Sequence, residues 1–163
     1  MTKTSLPELC FLPVHAGYGD DDEARTKDFL RCCREGFAEN WTCKKTAKPG
    51  DVYLFWLCSP TKYLGGVGVV ASDVEELVNK GWDWTDRPKA RFCDYEPLIA
   101  LKNPVTLPDI YKDRTLSKWW DGRPFQGRPK QVVRPQVAKR LCTLILGTNP
   151  KQRRLKSILG RFV

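Results

Sequence analysis

The chain has 163 residues, 41% hydrophobic and 29% charged, with a formal net charge of +9. That length suits one domain able to bury roughly two-thirds of its unfolded surface, and the composition is that of a globular chain, not a disordered or collagen-like one. No apolar run approaches the ~20 residues a membrane-spanning helix needs, and the N-terminus, MTKTSLPELCFLPV, lacks the charged and apolar regions of a signal peptide.

The seven cysteines (Cys10, Cys32, Cys33, Cys43, Cys58, Cys93 and Cys142) are scattered, without a C-x-x-C pair. Most fall inside apolar patterns, where a free thiol behaves as a small hydrophobe. This usage points to a reducing, intracellular compartment, cytoplasmic or nuclear. The positive charge is unevenly placed. From Lys112 to Val163 there are fourteen Lys and Arg against two acids, a net of +12, while the rest of the chain carries a net of −3. A basic half on a near-neutral body suits a polyanion such as nucleic acid; a generically basic, solvated surface is the plainer reading.

In chain order, Leu9–Val14 reads as a first strand, with Pro13 implying an edge or a strand end. Asp20–Asp22 offers capping and dipole complementarity to a helix over Asp22–Glu35, whose apolar side is Phe29, Leu30 and Cys33 and which Gly36 ends. A loop with Asn40, Trp41 and Thr42 follows. Val52–Leu57 and Gly65–Val70 are apolar on both faces and joined by a short loop, so they read as an antiparallel pair at the centre of a sheet. Gly65, Gly66 and Gly68 there allow close backbone approach or a bulge. Ser72 and Glu75 fit a capping box, which predicts a short helix over Asp73–Lys80. Arg91–Leu101 is a third long strand interrupted at Pro97, and Asn103–Pro108 reads as a turn before a helical turn at Asp109–Asp113. Trp119 and Trp120 precede a Gly, Pro and Arg-rich stretch. Pro135–Leu146 is predicted as a helix ended by Gly147. In the basic tail, about 148–163, Leu155, Ile158, Leu159 and Phe162 recur at helical spacing.

This order of elements resembles the PUA-like superfamily, and within it the EVE and YTH modified-base readers. The likeness is carried by FLRCCREGFAENW over Phe29–Trp41, the hairpin with its GGVGVV strand, Arg91–Leu101 leading into KNPVTLPDI, and QGRPKQVV over Gln126–Val133. It covers most of residues 9–146 and rests on the set, since no single motif is highly specific. It implies an α+β fold, a small PUA-like β-barrel of five to six strands flanked by helices, in one domain over 1–163. The implied activity is non-catalytic: a modified, flipped base inserted between aromatic side chains, in DNA or RNA.

The physics of such a pocket is general. A base taken out of the stack needs a flat apolar surface on each face and hydrogen bonds along its edge. By the resemblance, Trp41 stands where the family has its first cage tryptophan, and Trp84 or Trp82 would supply the second wall. Candidates for the base edge are His15, Tyr18 and Asp20, in a loop that departs from the asparagine-containing pattern of the family, and Ser59. Arg123, Arg128, Lys130 and Arg134, with Lys44 and Lys45 ahead of the hairpin, would meet flanking phosphates. Each has a plainer reading as a packed aromatic, an ordinary loop residue or a solvated charge. Trp119 and Trp120 read either as a wedge facing nucleic acid or as packing against the last helix.

Catalysis finds little support. The single histidine has no triad context, the P-loop and dinucleotide glycine patterns are absent, and Cys32, Cys33, Cys43 and His15 match no common zinc spacing. No cofactor or metal is expected, and no membrane partner. The partners implied are nucleic acid carrying a modified base and, for a methyl-directed restriction system, a nuclease or motor subunit. Two other readings stay open: a PUA-like RNA-binding module indifferent to modification, and a protein-interaction or small-ligand sensor domain.

Overall fold

The computed structural model describes residues 6–14, 22–58, 62–76, 91–122 and 131–163. Its strands are β1 (Leu9–Val14), β2 (Ala38–Thr42), β3 (Val52–Leu57), β4 (Tyr63–Val70), the two-residue β5 (Glu75–Glu76), β6 (Arg91–Thr106) and the two-residue β7 (Gln131–Val132). They form one sheet in the order β2-β6-β4-β3-β1-β7, with β5 also on β6. The β1–β3 ladder is parallel and the others are antiparallel. The helices are α1 (Asp22–Glu35), α2 (Leu107–Tyr111), α3 (Arg114–Asp121), α4 (Pro135–Thr148) and α5 (Arg153–Leu159), followed by a 3-10 turn at Gly160–Phe162.

The continuous apolar run of β3 is explained by two cores, one on each face of the sheet. Val52, Leu54 and Trp56 join Phe11 and the C-terminal helices, while Tyr53, Phe55 and Leu57 join Phe29, Cys32 and Tyr95 beneath α1. Register shifts occur in the β3–β4, β4–β6 and β2–β6 ladders. Such bulges bend the strands that carry them, and the five long strands curl into a half-barrel. Gly36, at φ +79°, ends α1 as expected, and its N–H donates to the Cys32 carbonyl at 2.8 Å.

Several sequence expectations are corrected. Of the two readings of Pro13, the strand end holds and the edge strand does not: β1 ends at Val14 and lies between β3 and β7. Strand alternation turns the Pro13 nitrogen away from β3, and β7 pairs only Cys10 and Phe11, so no ladder bond is lost there. The stretch around Trp41 is a strand. Ser72 caps no helix: its hydroxyl accepts the Asp94 N–H at 2.8 Å, and Glu75 and Glu76 pair with Phe92 and Arg91. Residues 77–80 lie outside the described residues. Asn103–Thr106 is no turn but the end of β6, where four residues (Leu101–Pro104) bulge between the Gly66–Ala100 and Leu64–Val105 pairs. That bulge is held from the tail: Asn103 N–H donates to Asn149 Oδ1 at 2.8 Å, and Lys102 N–H to Gln152 Oε1 at 2.9 Å. Gly147 lies inside α4, which runs to Thr148. The tail belongs to the core, with Leu155, Ile158 and Leu159 buried.

Candidate nucleic-acid interface

Trp41 owes its place to the way the chain leaves α1. After Gly36 the backbone enters edge strand β2, where Asn40 takes φ +51° and donates its N–H to Asp94 Oδ1 at 2.9 Å. The ladder slips between Ala38, opposite Tyr95, and Trp41, opposite Cys93. A bulge re-aims the side chain after it, and here it sets Trp41 half-buried at the rim. The indole stands edge-to-face on Phe29, with centroids 5.9 Å apart at 68°. Phe29 is fully buried and packs on Phe55 at 5.0 Å, and Phe55 in turn on Tyr95 at 5.2 Å. Trp41 is therefore an aromatic surface braced from behind, with part of its ring left accessible. Each such ring pair is worth about 0.5–1.5 kcal/mol beyond area burial.

The inner end of this pile is polar but satisfied. Tyr95 O–H donates to the Thr42 carbonyl at 2.8 Å, and Tyr53 Oη accepts the Lys44 N–H at 3.2 Å. Burial pushes both phenols up from their ordinary range. A hydrogen bond with Cys43, together with burial, raises the Cys93 thiol, and burial pushes Cys10, Cys33 and Cys142 up to about 12. These thiols are neutral at physiological pH and offer no sulfur nucleophile.

Of the other residues singled out in the sequence, Trp82, Trp84, Ser59, His15, Tyr18, Asp20, Arg123, Arg128 and Lys130 lie outside the described residues. Their described flanks are informative. Glu76 and Arg91, which bracket the segment carrying Trp82 and Trp84, are paired across β5 and β6. The Arg91 carbonyl accepts the Cys43 N–H at 3.0 Å, two residues from Trp41. Val14 and Leu57, which precede the segments holding His15, Tyr18, Asp20 and Ser59, are partners in the β1–β3 ladder. Lys45 and Arg134 are exposed. Lys44 is turned inward: its ammonium pairs with Glu8 and its side chain is only 12% exposed. Sequence reasoning placed Phe29 on the buried side of α1 but missed it as the brace of Trp41. The one signal was their separation by a single helix stop.

No family model matches the sequence, and no curated protein matches it. Solved structures share its architecture. A hypothetical protein from Leishmania major superposes with a TM-score of 0.61 at 13% identity, covering 90% of this chain and 97% of that one. Rpa0253 from Rhodopseudomonas palustris gives 0.58 at 14% identity, covering 84% and 92%. Human THYN1, solved in complex with DNA containing 5-methylcytosine, gives 0.57 at 10% identity, covering 85% and 97%. The fold is PUA-like. The half-barrel and its flanking helices are thus the architecture that the sequence resemblance implied.

Proposed function

We propose that this chain is a non-catalytic nucleic-acid-binding module that reads a modified base, flipped from DNA or RNA into an aromatic pocket walled by Trp41 and by Trp84 or Trp82. The observation that carries this reading is the half-buried Trp41 ring, braced by Phe29 on an edge strand beside the paired residues that bracket the segment with the other two tryptophans. A fold shared with human THYN1, whose structure holds 5-methylcytosine DNA, and the net charge of +9 support it. In this reading Lys45 and the basic residues before β7 contact phosphates. Base stacking supplies about 1–3 kcal/mol, and a methyl group filling apolar volume adds about 0.8 kcal/mol. No cofactor takes part. Any cleavage in a methyl-directed restriction system would belong to a nuclease or motor subunit that this module directs.

The test is equilibrium binding at near-physiological salt to matched oligonucleotides: plain, N6-methyladenine, 5-methylcytosine and 5-hydroxymethylcytosine DNA duplexes, and N6-methyladenosine single-stranded RNA. A preference of about tenfold or more for one modified member, ~1.4 kcal/mol, is the expected result. A flat profile favouring RNA would replace this reading with that of an unselective RNA-binding module.

A further inference from the structure

A second place joins aromatic and cationic surface, on the other face of the sheet. Phe11, Trp119 and Trp120 belong to the core beneath the C-terminal helices, whereas Phe29, Trp41 and Phe55 belong to the core beneath α1. Between α3, β7 and the start of α4 lies a cavity of about 670 Å3 whose wall includes Arg114, Lys118, Trp119, Val132 and Arg134. The three cations are exposed, and among the described residues no carboxylate lines the cavity and none of the three makes an ion pair. A neighbouring cavity of about 520 Å3 between α2, α3 and α4 differs. Its Arg140 is committed to Asp113 at 2.9 Å and its Lys112 to Asp109 at 3.1 Å.

Three like charges around one cavity repel, and a bound anion relieves that repulsion. The aromatic wall narrows the choice of anion. Trp119 is half-buried and held in place, edge-to-face on Phe11 at 5.3 Å and against Trp120 at 6.0 Å, so its remaining surface is a fixed platform. Val132, 41% exposed on edge strand β7, extends the apolar side.

We propose that this groove takes one nucleotide of a single strand, with its base against Trp119 and its phosphate among Arg114, Lys118 and Arg134. A simple anion would use the cations and leave the indole unused, whereas a nucleotide uses both. The proposal rests on the nucleic-acid reading above but not on discrimination between modified and plain bases.

The experiment uses the full chain, a short fluorescent oligothymidylate and an abasic sugar-phosphate oligomer of equal length, titrated over a range of salt. Replacing Arg114, Lys118 and Arg134 together by Gln should flatten the slope of log affinity against log salt by about 0.7, the value for one phosphate of a single strand. The same change to Arg153, Arg154 and Lys156 on α5 should leave it nearly intact. Trp119→Ala should weaken oligothymidylate about tenfold without affecting the abasic oligomer. Val132→Glu, at a position 41% exposed, should weaken both. Equal losses from the two triple variants, equal affinity for the two oligomers, or displacement by polyglutamate as effective as by oligothymidylate would each overturn the proposal. A harmless Trp119→Ala with the preference for a modified duplex kept would fail the groove alone, and a flat duplex panel with the Trp119 effect kept would fail the modified-base pocket alone.

Discussion

Phe29 reaches into the space that a side chain at Gly66 would fill: its Cζ lies 2.7 Å from where a Cβ would stand. The glycine lets α1 settle onto β4, and α1 in turn brings Phe29 against Trp41. With the Ile99 carbonyl 3.0 Å from the same point, neither neighbour can retreat cheaply. Gly66→Ala should therefore cost about 1–3 kcal/mol by overpacking, read as a lower urea midpoint with an unchanged m-value. A variant as stable as the parent would mean that α1 is not clamped to β4.

Asn149 predicts a larger loss. It is 3% exposed; Oδ1 accepts the Asn103 N–H at 2.8 Å, and Nδ2 donates to the Asn103 carbonyl at 2.9 Å and to the Ile145 carbonyl at 3.0 Å. Truncation to Ala strands the Asn103 N–H and carbonyl, while the Ile145 carbonyl keeps the Asn149 N–H at 3.0 Å, at a cost of about 2–3 kcal/mol. Hydrogen exchange should show faster exchange at the Asn103 amide than in the parent.

Acid should act through Asp109. The Thr106 hydroxyl at 2.7 Å, the Thr106 N–H at 3.0 Å and the Lys112 ammonium at 3.1 Å hold its carboxylate down at about 2, against an ordinary value of 3.8. A folded-state pKa below the unfolded one stabilises fully above the unfolded value and is lost as pH falls through the folded one. Asp109→Asn should thus be less stable than the parent at neutral pH. The gap should begin to close below about pH 3.8 and be largely gone near pH 2. A gap independent of pH in denaturant titrations would assign the loss to packing instead.

The neighbours Lys44 and Lys45 should separate stability from binding. Lys44 pairs with Glu8 and is mostly covered, so Lys44→Gln should lower stability by about 1 kcal/mol with little change in the salt slope of binding. Exposed Lys45 should do the reverse: Lys45→Gln should keep the melting temperature and flatten the slope on DNA duplexes by about 0.9. Unfolding and salt-titration curves on both variants decide this.

The sequence was most readable where local signals and tertiary packing agree. β1, α1 and β3 have the bounds that apolar runs, an acidic first turn and a glycine stop indicate. The central hairpin sits mid-sheet because both faces of β3 are apolar. It misleads where a distant partner takes over a local signal. Ser72 and Glu75 look like a capping box, but the Asp94 amide takes the hydroxyl and β6 takes the glutamate. Asn103 and Pro104 look like a turn, yet Asn149 and Gln152, nearly fifty residues on, hold them as a bulge in β6. Trp41 could be singled out by its position after the helix, but its strand could not, because β2 is five residues long with a left-handed Asn40 inside it. That Phe29 supports Trp41 is a fact of packing that no local pattern encodes.

In the proposed function Trp41 forms one wall of a pocket for a modified base. The most direct measurement is the ratio of affinities for modified and plain oligonucleotide, taken for the parent and for Trp41→Ala with the best-bound member of the panel. The ratio should fall from about tenfold or more to near one, while the salt-dependent affinity for plain oligonucleotide is retained. A variant that discriminates as well as the parent would contradict it.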